Sequence, residues 1–144
     1  MGDFNQIAIF EFIDLIYHKI LEPYHNSFKE YISPLQYYTL SVIKYNEKIT
    51  MTHLADAMKM PKQNMTKIIN KLIDEDLVER IKDPLDKRIT WIVLSDKGNN
   101  LLLEILEINA NKISNDISVL GKDKNDIFYD SMVKINNILK ELNT

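Results

Sequence analysis

The chain has 144 residues, no cysteine and a formal net charge of -3 at pH 7. This length suits one domain with a buried core, and the lack of cysteine excludes disulfide bonds, thiolate metal sites and thiol nucleophiles. Since no apolar run is long enough to span a bilayer and no leader sequence is evident, we expect a cytoplasmic protein without a membrane partner.

The first predicted helix, residues 4–28, is apolar around most of its circumference. A long helix after Ser95 is as apolar over residues 101–108 as the first helix is. Gly121 is expected to stop that helix, and a final apolar helix begins near Asp123. A domain of this size cannot easily bury such wide faces, so a second copy of the chain is the expected cover. The sequence therefore predicts a homodimer, and a monomeric core with long helices is the alternative.

The middle third opens with a well-formed helix start. Ser33 is the predicted N-cap, Pro34 the first helical residue and Gln36 the residue that closes a capping box. This arrangement satisfies two amide groups that the first helical turn leaves without partners. We expect the helix to end between residues 44 and 47.

Two short helices are predicted next, joined by a tight turn. The first opens at Thr50 or Thr52, and the second begins with Pro61 at its first position. The turn between them spans only residues 59–61. Two short helices with so tight a connection are typical of a helix-turn-helix motif.

The helix after Pro61 has an apolar stripe and, opposite to it, a basic polar face. The stripe follows helical spacing and comprises Met65, Ile68, Ile69, Leu72 and Ile73. The polar face combines cations, amides and a hydroxyl, and comprises Lys62, Gln63, Asn64, Thr66, Lys67, Asn70 and Lys71. Lysines suit phosphates and guanine edges, amides can bond adenine, and a threonine methyl can touch thymine. An exposed polar face with no ligand is the alternative for this helix taken alone.

A short hairpin with a basic turn follows this helix. Residues 77–81 and 89–94 are predicted strands, and residues 83–88 form the turn between them. Lys87 and Arg88 lie at the tip, where they would reach the flanking backbone or the narrow minor groove. A helix-turn-helix followed by such a hairpin predicts a winged helix that binds double-stranded DNA.

Four consecutive segments carry a family resemblance: SPLQYYTLSVI, TMTHLADAMKMPKQNMTKIINKLIDEDLVER, the turn DPLDKR and VLSDKG. From Ser33 to Gly98 the chain resembles the MarR (multiple antibiotic resistance regulator) family, most specifically in D-x-x-D-x-R followed by L-[ST]-x-x-G. The resemblance implies a homodimer with intertwined terminal helices, recognition helices in successive major grooves and wings in the minor groove. It places Arg88 as the wing arginine, with Asp86 orienting it. It also implies that bases or nearby phosphates would be contacted by Gln63, Asn64, Thr66 and Lys67.

Two departures from this family bear on conformation and regulation. Asp76 stands where many relatives carry glycine, and aspartate tolerates the left-handed conformation better than most residues. The absence of cysteine excludes thiol oxidation as a signal, which leaves a small aromatic effector or no effector. Side chains that could line an effector pocket, or simply pack in an aromatic core, are Tyr17, Tyr24, Tyr37 and Tyr38.

One group of residues raises the question of a metal site. His18, Glu22 and His25 share a face of the first predicted helix, and zinc accepts such ligands. Pro23 is expected to interrupt this segment, however, and a fourth ligand is not apparent. We therefore expect surface or interface histidines, no metal and no cofactor, and we expect His53 to be a polar surface residue.

Taken together, these patterns predict a mainly α protein: a winged helix-turn-helix with a small β-hairpin wing, flanked by N- and C-terminal dimerisation helices. Residues 1–144 would form a single domain, with a DNA-binding part at 33–95 and a dimerisation part at 1–32 and 96–144. The predicted function is a ligand-responsive repressor that binds a pseudo-palindromic operator as a homodimer. A winged-helix protein-interaction module without DNA binding is the alternative. An enzyme is not expected, since no phosphate-binding loop or nucleophile motif is present.

Overall fold

A computed structural model of the protein describes residues 6–142, except for the side chains of residues 25 and 26. Over these residues the chain is mainly helical, as predicted, and it divides between two compact units, Met1–Leu106 and Glu107–Thr144. The elements in chain order are α1 (Gln6–Ile16), a π-helical segment (Tyr17–Leu21), α2 (Glu22–Ser27), α3 (Pro34–Asn46), β1 (Ile49–Thr50), α4 (Met51–Ala57), α5 (Lys62–Asp74), β2 (Val78–Lys82), β3 (Thr90–Leu94), α6 (Asp96–Ser118) and α7 (Lys122–Lys140).

The predicted first helix is helical from Gln6 to Ser27, one residue short of its predicted end at Phe28, and Phe4 lies outside the described residues. The expectation that Pro23 interrupts the segment is wrong, because Pro23 lies within the first turn of α2. The π-helical turn before it, in which the amide of Glu22 donates to the carbonyl of Tyr17, changes the hydrogen-bond register. A wider turn leaves room for a proline ring and does not need its missing amide hydrogen.

The capping box at the start of α3 is confirmed. The Ser33 hydroxyl accepts from the amide of Gln36 at 3.3 Å, and Gln36 Oε1 accepts from the amide of Ser33 at 3.1 Å. Gln36 also donates from Nε2 to Glu75 Oε2 at 3.0 Å, just beyond the end of α5. The same side chain therefore caps α3 and ties it to α5.

The helix-turn-helix comprises α4, α5 and the turn between them. Thr50, one of the two predicted starts, is the N-cap of α4 and accepts from the amide of His53 at 3.3 Å. Pro61 is the N-cap of α5 and not its first helical residue, so that prediction is wrong by one position. Lys59 adopts a positive φ of 49°, which reverses the chain within the turn.

The wing is part of a three-stranded antiparallel sheet of order β1-β3-β2. In the hairpin, Val78 pairs with Leu94 and Lys82 pairs with Thr90, as a hairpin in this place predicts. The strand β1 was not predicted, because two residues are too short to show an alternating pattern. It pairs Ile49 with Ile92 and so joins the chain before α4 to the wing.

The hydrophobic core of the first unit lies among α3, α4, α5, the sheet and the start of α6. Its fully buried side chains include Phe28, Leu40, Ile43, Leu54, Met65, Ile69, Leu72, Ile92 and Ile105. Full burial of one such side chain stabilises a fold by about 1.5–3 kcal/mol. Three of these residues belong to α5, so the core fixes the rotation of that helix.

The connection from the wing to α6 explains the L-[ST]-x-x-G pattern. The Ser95 hydroxyl donates to the carbonyl of Asp76 at 2.6 Å and accepts from the amide of Gly98 at 3.0 Å. Asp76 adopts the left-handed conformation, with φ of 59°. A Cβ atom on Gly98 would lie 2.1 Å from the carbonyl oxygen of Leu77. Only glycine allows α6 to start so close to this backbone.

Candidate nucleic-acid interface

The outward face of α5 is set by its buried face. Met65, Ile69 and Leu72 are buried on the inner side, and Ile68 and Ile73 are partly buried against the same core. The opposite side exposes Lys62, Gln63, Asn64, Lys67 and Asn70. Because the inner stripe is held by packing, the outer side chains have a defined direction.

Thr66 differs from its neighbours on this face. It is partly buried, and its hydroxyl donates to the carbonyl of Lys62 at 2.8 Å. The hydroxyl hydrogen is therefore used inside the helix. The methyl group and the oxygen lone pairs remain for contacts to a ligand.

The lysines of α5 differ in their ionic partners. Lys71 lies 3.8 Å from Glu75, one turn further along. The ion pairs of the described residues do not involve Lys62 or Lys67. The positive charge of the N-terminal and middle parts of the helix is therefore free to attract phosphates.

The wing arginine is held by a carboxylate two residues away. Arg88 donates to Asp86 from Nε at 3.1 Å and from Nη2 at 3.0 Å, and its amide donates to Asp86 at 3.0 Å. These bonds hold the pKa of Asp86 below its usual range and raise the pKa of Arg88. The Arg88 side chain is otherwise exposed, as is Lys87.

A residue that the sequence analysis missed lies between the wing and α5. Arg80, on β2, donates from Nη2 to Oδ1 of Asn70 at 2.8 Å. The guanidinium group has donors only, so the amide oxygen of Asn70 must face it and the amide nitrogen points away. The signal for this pair was weak, since Arg80 in the sequence is one charged residue in a short strand.

The DNA-binding residues expected from the sequence all lie in the first compact unit. Those on α5 are Lys62, Gln63, Asn64, Thr66, Lys67 and Asn70, and those in the wing turn are Lys87 and Arg88. The Arg80–Asn70 bond brings the wing hairpin against α5. We call the two sets of residues, together with Arg80, the α5–wing surface.

In the histidine cluster of the first helix, His18 lies close to two carboxylates, one turn before and one turn after it. His18 lies 3.0 Å from Glu22 and 3.6 Å from Asp14, and all three side chains are exposed. The side chain of His25 lies outside the described residues. Among the side chains that the structure describes, no group of three or more His, Cys, Asp or Glu residues could hold a metal ion. His53 is exposed on α4.

Residues 32–89 match the sequence profile of the MarR family. The HTH-type transcriptional regulator MhqR of Bacillus subtilis (strain 168) is 25% identical over 96 residues, which cover 67% of this chain. Over residues 32–89, which hold the helix-turn-helix and the first strand and turn of the wing, the chain is similar to the MarR family. The match spans 66% of MhqR, just under two thirds of its length.

Solved structures support a winged helix-turn-helix fold for this chain. The transcriptional regulator Tm0710 from Thermotoga maritima superposes with a TM-score of 0.82 at 20% identity, covering 94% of this chain and 96% of its own. A mutant of S. aureus MepR bound to an oligodeoxyribonucleotide superposes with a TM-score of 0.68 at 19% identity. The superposition covers 95% of this chain and 99% of the MepR chain. These likenesses show the fold: the chain is mainly helical with a small three-stranded antiparallel sheet, as in winged-helix structures of the MarR family.

Proposed function

We propose that this protein is a DNA-binding transcriptional regulator of the MarR family. It binds a pseudo-palindromic operator as a homodimer and represses transcription until a small aromatic compound releases it. The α5–wing surface carries the proposal. Its cations and amides point outward from a helix that the core holds in place, and Arg88 is exposed in the wing turn. Lysine and arginine supply affinity for phosphates, while amides on a major-groove helix supply base discrimination.

A protein-interaction module is the alternative, and the side chains of α5 argue against it. Protein interfaces depend on apolar or aromatic anchors, whereas the outward side of α5 carries lysines, amides and a threonine. Leu85 at the wing tip is the feature most favourable to the alternative, because it is 96% exposed. One leucine is a small anchor, and apolar side chains also enter minor grooves.

The proposal of a homodimer is supported by apolar helices without cover. No described residue of α1 is buried, and Ile7 and Phe10 are 74% and 75% exposed. In the second compact unit, α7 likewise has no buried described residue, although it carries Ile127, Ile138 and Leu139. Apolar surface of this extent is typical of a protein interface. No helix in the described range is long and apolar enough to cross a membrane.

The proposed effector would suit a pocket of the first compact unit. A cavity of about 270 Å³ lies between α3 and α6, and its lining includes Tyr37, Tyr45, Leu102 and Leu106. Its volume is near the lower end for small-molecule sites, about 300–1,000 Å³, so a compound with a single ring is the best match. Of the four tyrosines considered from the sequence, Tyr37 lines this cavity. Tyr24 instead packs on Phe28 and Tyr37, its hydroxyl bonds to that of Tyr37, and burial raises its pKa.

Selection of bound duplexes from a random DNA library tests the proposal. We expect enriched sites with two half-sites about 10 base pairs apart, since two symmetric helices enter successive major grooves. Lys67→Ala should weaken binding to a selected site, whereas Lys29→Ala, an exposed lysine outside the α5–wing surface, should not. A native protein that enriches no duplex would contradict DNA binding and favour the protein-interaction module.

The regulatory part of the proposal has its own test. A promoter containing a selected site should be transcribed less in the presence of the protein, and single-ring aromatic compounds should restore transcription. Tyr37→Ala should alter the concentration of compound required. Activation of the promoter by the protein would contradict the assignment as a repressor. Repression that no aromatic compound relieves would contradict the assignment of the effector.

A further inference from the structure

The wing turn is organised by one carboxylate, that of Asp83. Its Oδ1 accepts from the amides of Leu85 and Asp86 at 2.9 and 3.0 Å, which closes the start of the turn. Its Oδ2 accepts from the indole Nε1 of Trp91 at 2.8 Å. The pKa of Asp83 is lowered, chiefly by the bond from Trp91 and then by the two amides. Both oxygens of this side chain are thus occupied, one by the turn and one by the strand that follows it.

Trp91 connects this carboxylate to the rest of the first compact unit. It lies on β3, where its backbone pairs with Thr50 of β1 and with Ile81 of β2. The Nζ of Lys48 lies 4.8 Å from the centre of its ring, within range of a cation–π interaction. Trp91 is partly buried, so its ring has a fixed position from which the Nε1 hydrogen reaches Asp83.

The turn that Asp83 closes carries the groups that hold Arg88. The amide of Asp86 donates to Asp83, and the carboxylate of Asp86 accepts from Arg88. A continuous path of side chains and amides therefore runs from Trp91 to Arg88. If the bond from Trp91 to Asp83 were lost, the turn would keep its sequence and its charge but would lose its side-chain bond to the sheet. It would also keep its backbone bonds between Asp83, Asp86 and Ile89.

From this geometry we propose that Trp91 and Asp83 are positioning residues for DNA binding. They hold the wing turn in the conformation that presents Arg88, although neither needs to touch DNA. The inference rests on the proposed function and adds to it two residues and a mechanism. The physical gain is preorganisation, because a turn that is already ordered loses less conformational entropy when it binds.

Two conservative variants remove the same bond from opposite sides. Trp91→Phe keeps an aromatic ring but removes the Nε1 donor. Asp83→Asn keeps an acceptor for the turn amides, and its amide nitrogen then faces Trp91 with a hydrogen where the native carboxylate accepts one. We expect each to weaken binding of a labelled duplex about three helical turns long by about three- to tenfold. The double variant should bind the duplex with the same affinity as the single variant that binds it less tightly, because both changes break the same bond.

The direction of the Asp83→Asn effect separates positioning from charge. Removal of a negative charge near DNA strengthens binding by electrostatics alone, whereas the positioning role predicts weaker binding. Asp74→Asn is the matched control, since it removes an exposed carboxylate at the end of α5. Its affinity should be unchanged or slightly increased. Asp83→Asn binding as tightly as Asp74→Asn would overturn the inference.

A double-mutant cycle of Trp91 with Arg88 distinguishes a positioning role from a general loss of stability. In an Arg88→Ala background, Trp91→Phe should have little further effect on affinity, because the residue that it positions is gone. Hydrogen exchange of the protein without DNA gives an independent measurement. The amides of Leu85 and Asp86 should lose protection from exchange in both single variants, whereas the amides of α5 should stay protected. Equal losses of affinity with and without Arg88, or unchanged protection of the two amides, would overturn the inference. Failure of the native protein to bind any duplex would instead overturn the proposed function, and variants that bind as well as native protein would overturn the positioning role alone.

Discussion

At the scale of single residues, hydrogen bonds inside the protein limit what a side chain can offer to DNA. Asn70 was expected to contact DNA, and a free asparagine can bond adenine through both its oxygen and its nitrogen. In the structure its oxygen accepts from Arg80, so the amide nitrogen is the group left without an intramolecular partner for a contact to DNA. Asn70 is therefore suited to an acceptor, such as guanine N7, thymine O4 or a phosphate oxygen.

Asn70→Asp tests this restriction. The aspartate still accepts from Arg80 but has no hydrogen to donate outward, so binding to a selected site should weaken by about 1–3 kcal/mol. Titration of the labelled site against native and variant protein measures the difference. Asn70→Ser, which retains a small donor, should lose less. Native affinity in Asn70→Asp would contradict an outward donor at this position.

The cations of the α5–wing surface should differ in their effects on salt dependence. Lys67 has no acidic partner among the ion pairs described, so Lys67→Ala should lower the slope of log affinity against log salt by about one unit. Arg88 is already paired with Asp86, so Arg88→Ala should lower the slope by less. Titrations at several salt concentrations measure both slopes. Gln63→Ala is the uncharged control, and its slope should match that of the native protein.

At the scale of elements, the start of α6 depends on Gly98. Alanine favours a helix over glycine by about 0.5–1 kcal/mol, so propensity alone predicts that Gly98→Ala stabilises the protein. The structure predicts the opposite sign, because the new Cβ would lie 2.1 Å from a backbone oxygen. We expect a loss of about 1–3 kcal/mol in the free energy of unfolding, measured by urea denaturation.

Gly121 provides the comparison for that substitution. It has a positive φ of 92° but no atom within 4 Å of an added Cβ, so Gly121→Ala meets backbone strain without a clash. With ψ of 162° this backbone conformation is one that glycine almost alone adopts, and the strain costs about 1–3 kcal/mol. Gly98→Ala with native or greater stability would show that α6 can move away from the backbone of Leu77, contrary to the close packing described above.

At the scale of the whole molecule, the apolar faces of α1 and α7 predict an obligate dimer. Phe10 on α1 and Ile138 on α7 are 75% and 63% exposed, so neither supports the core of its own chain. Phe10→Glu and Ile138→Glu should therefore leave the winged helix folded but raise the dimer dissociation constant by at least tenfold, about 1.4 kcal/mol. Sedimentation velocity at micromolar concentration measures this change.

Tyr45 provides the control for the dimer prediction. It is 86% exposed on α3, so Tyr45→Glu introduces the same charge without touching α1 or α7. Its dissociation constant should equal that of the native protein. A native protein that sediments as a stable monomer would contradict the dimer, and with it the expectation of paired half-sites.

Much of the fold could be predicted because its signals lie within one or two turns of helix. The spacing of Met65, Ile69 and Leu72 determined which side of α5 is buried, and hence which side faces outward. The Ser33–Gln36 capping box and the stop at Gly121 are equally local. Periodicity and capping act between neighbours in sequence, so the chain alone determines them.

Tertiary structure decided the features that join one element to another. The strand β1, the approach of Gly98 to Leu77 and the bonds from Arg80 to Asn70 and from Trp91 to Asp83 depend on how strands and helices are placed. A sequence gives the donors and acceptors but not which of them meet. That choice is made by strand register and by packing of the core, which act on many residues at once.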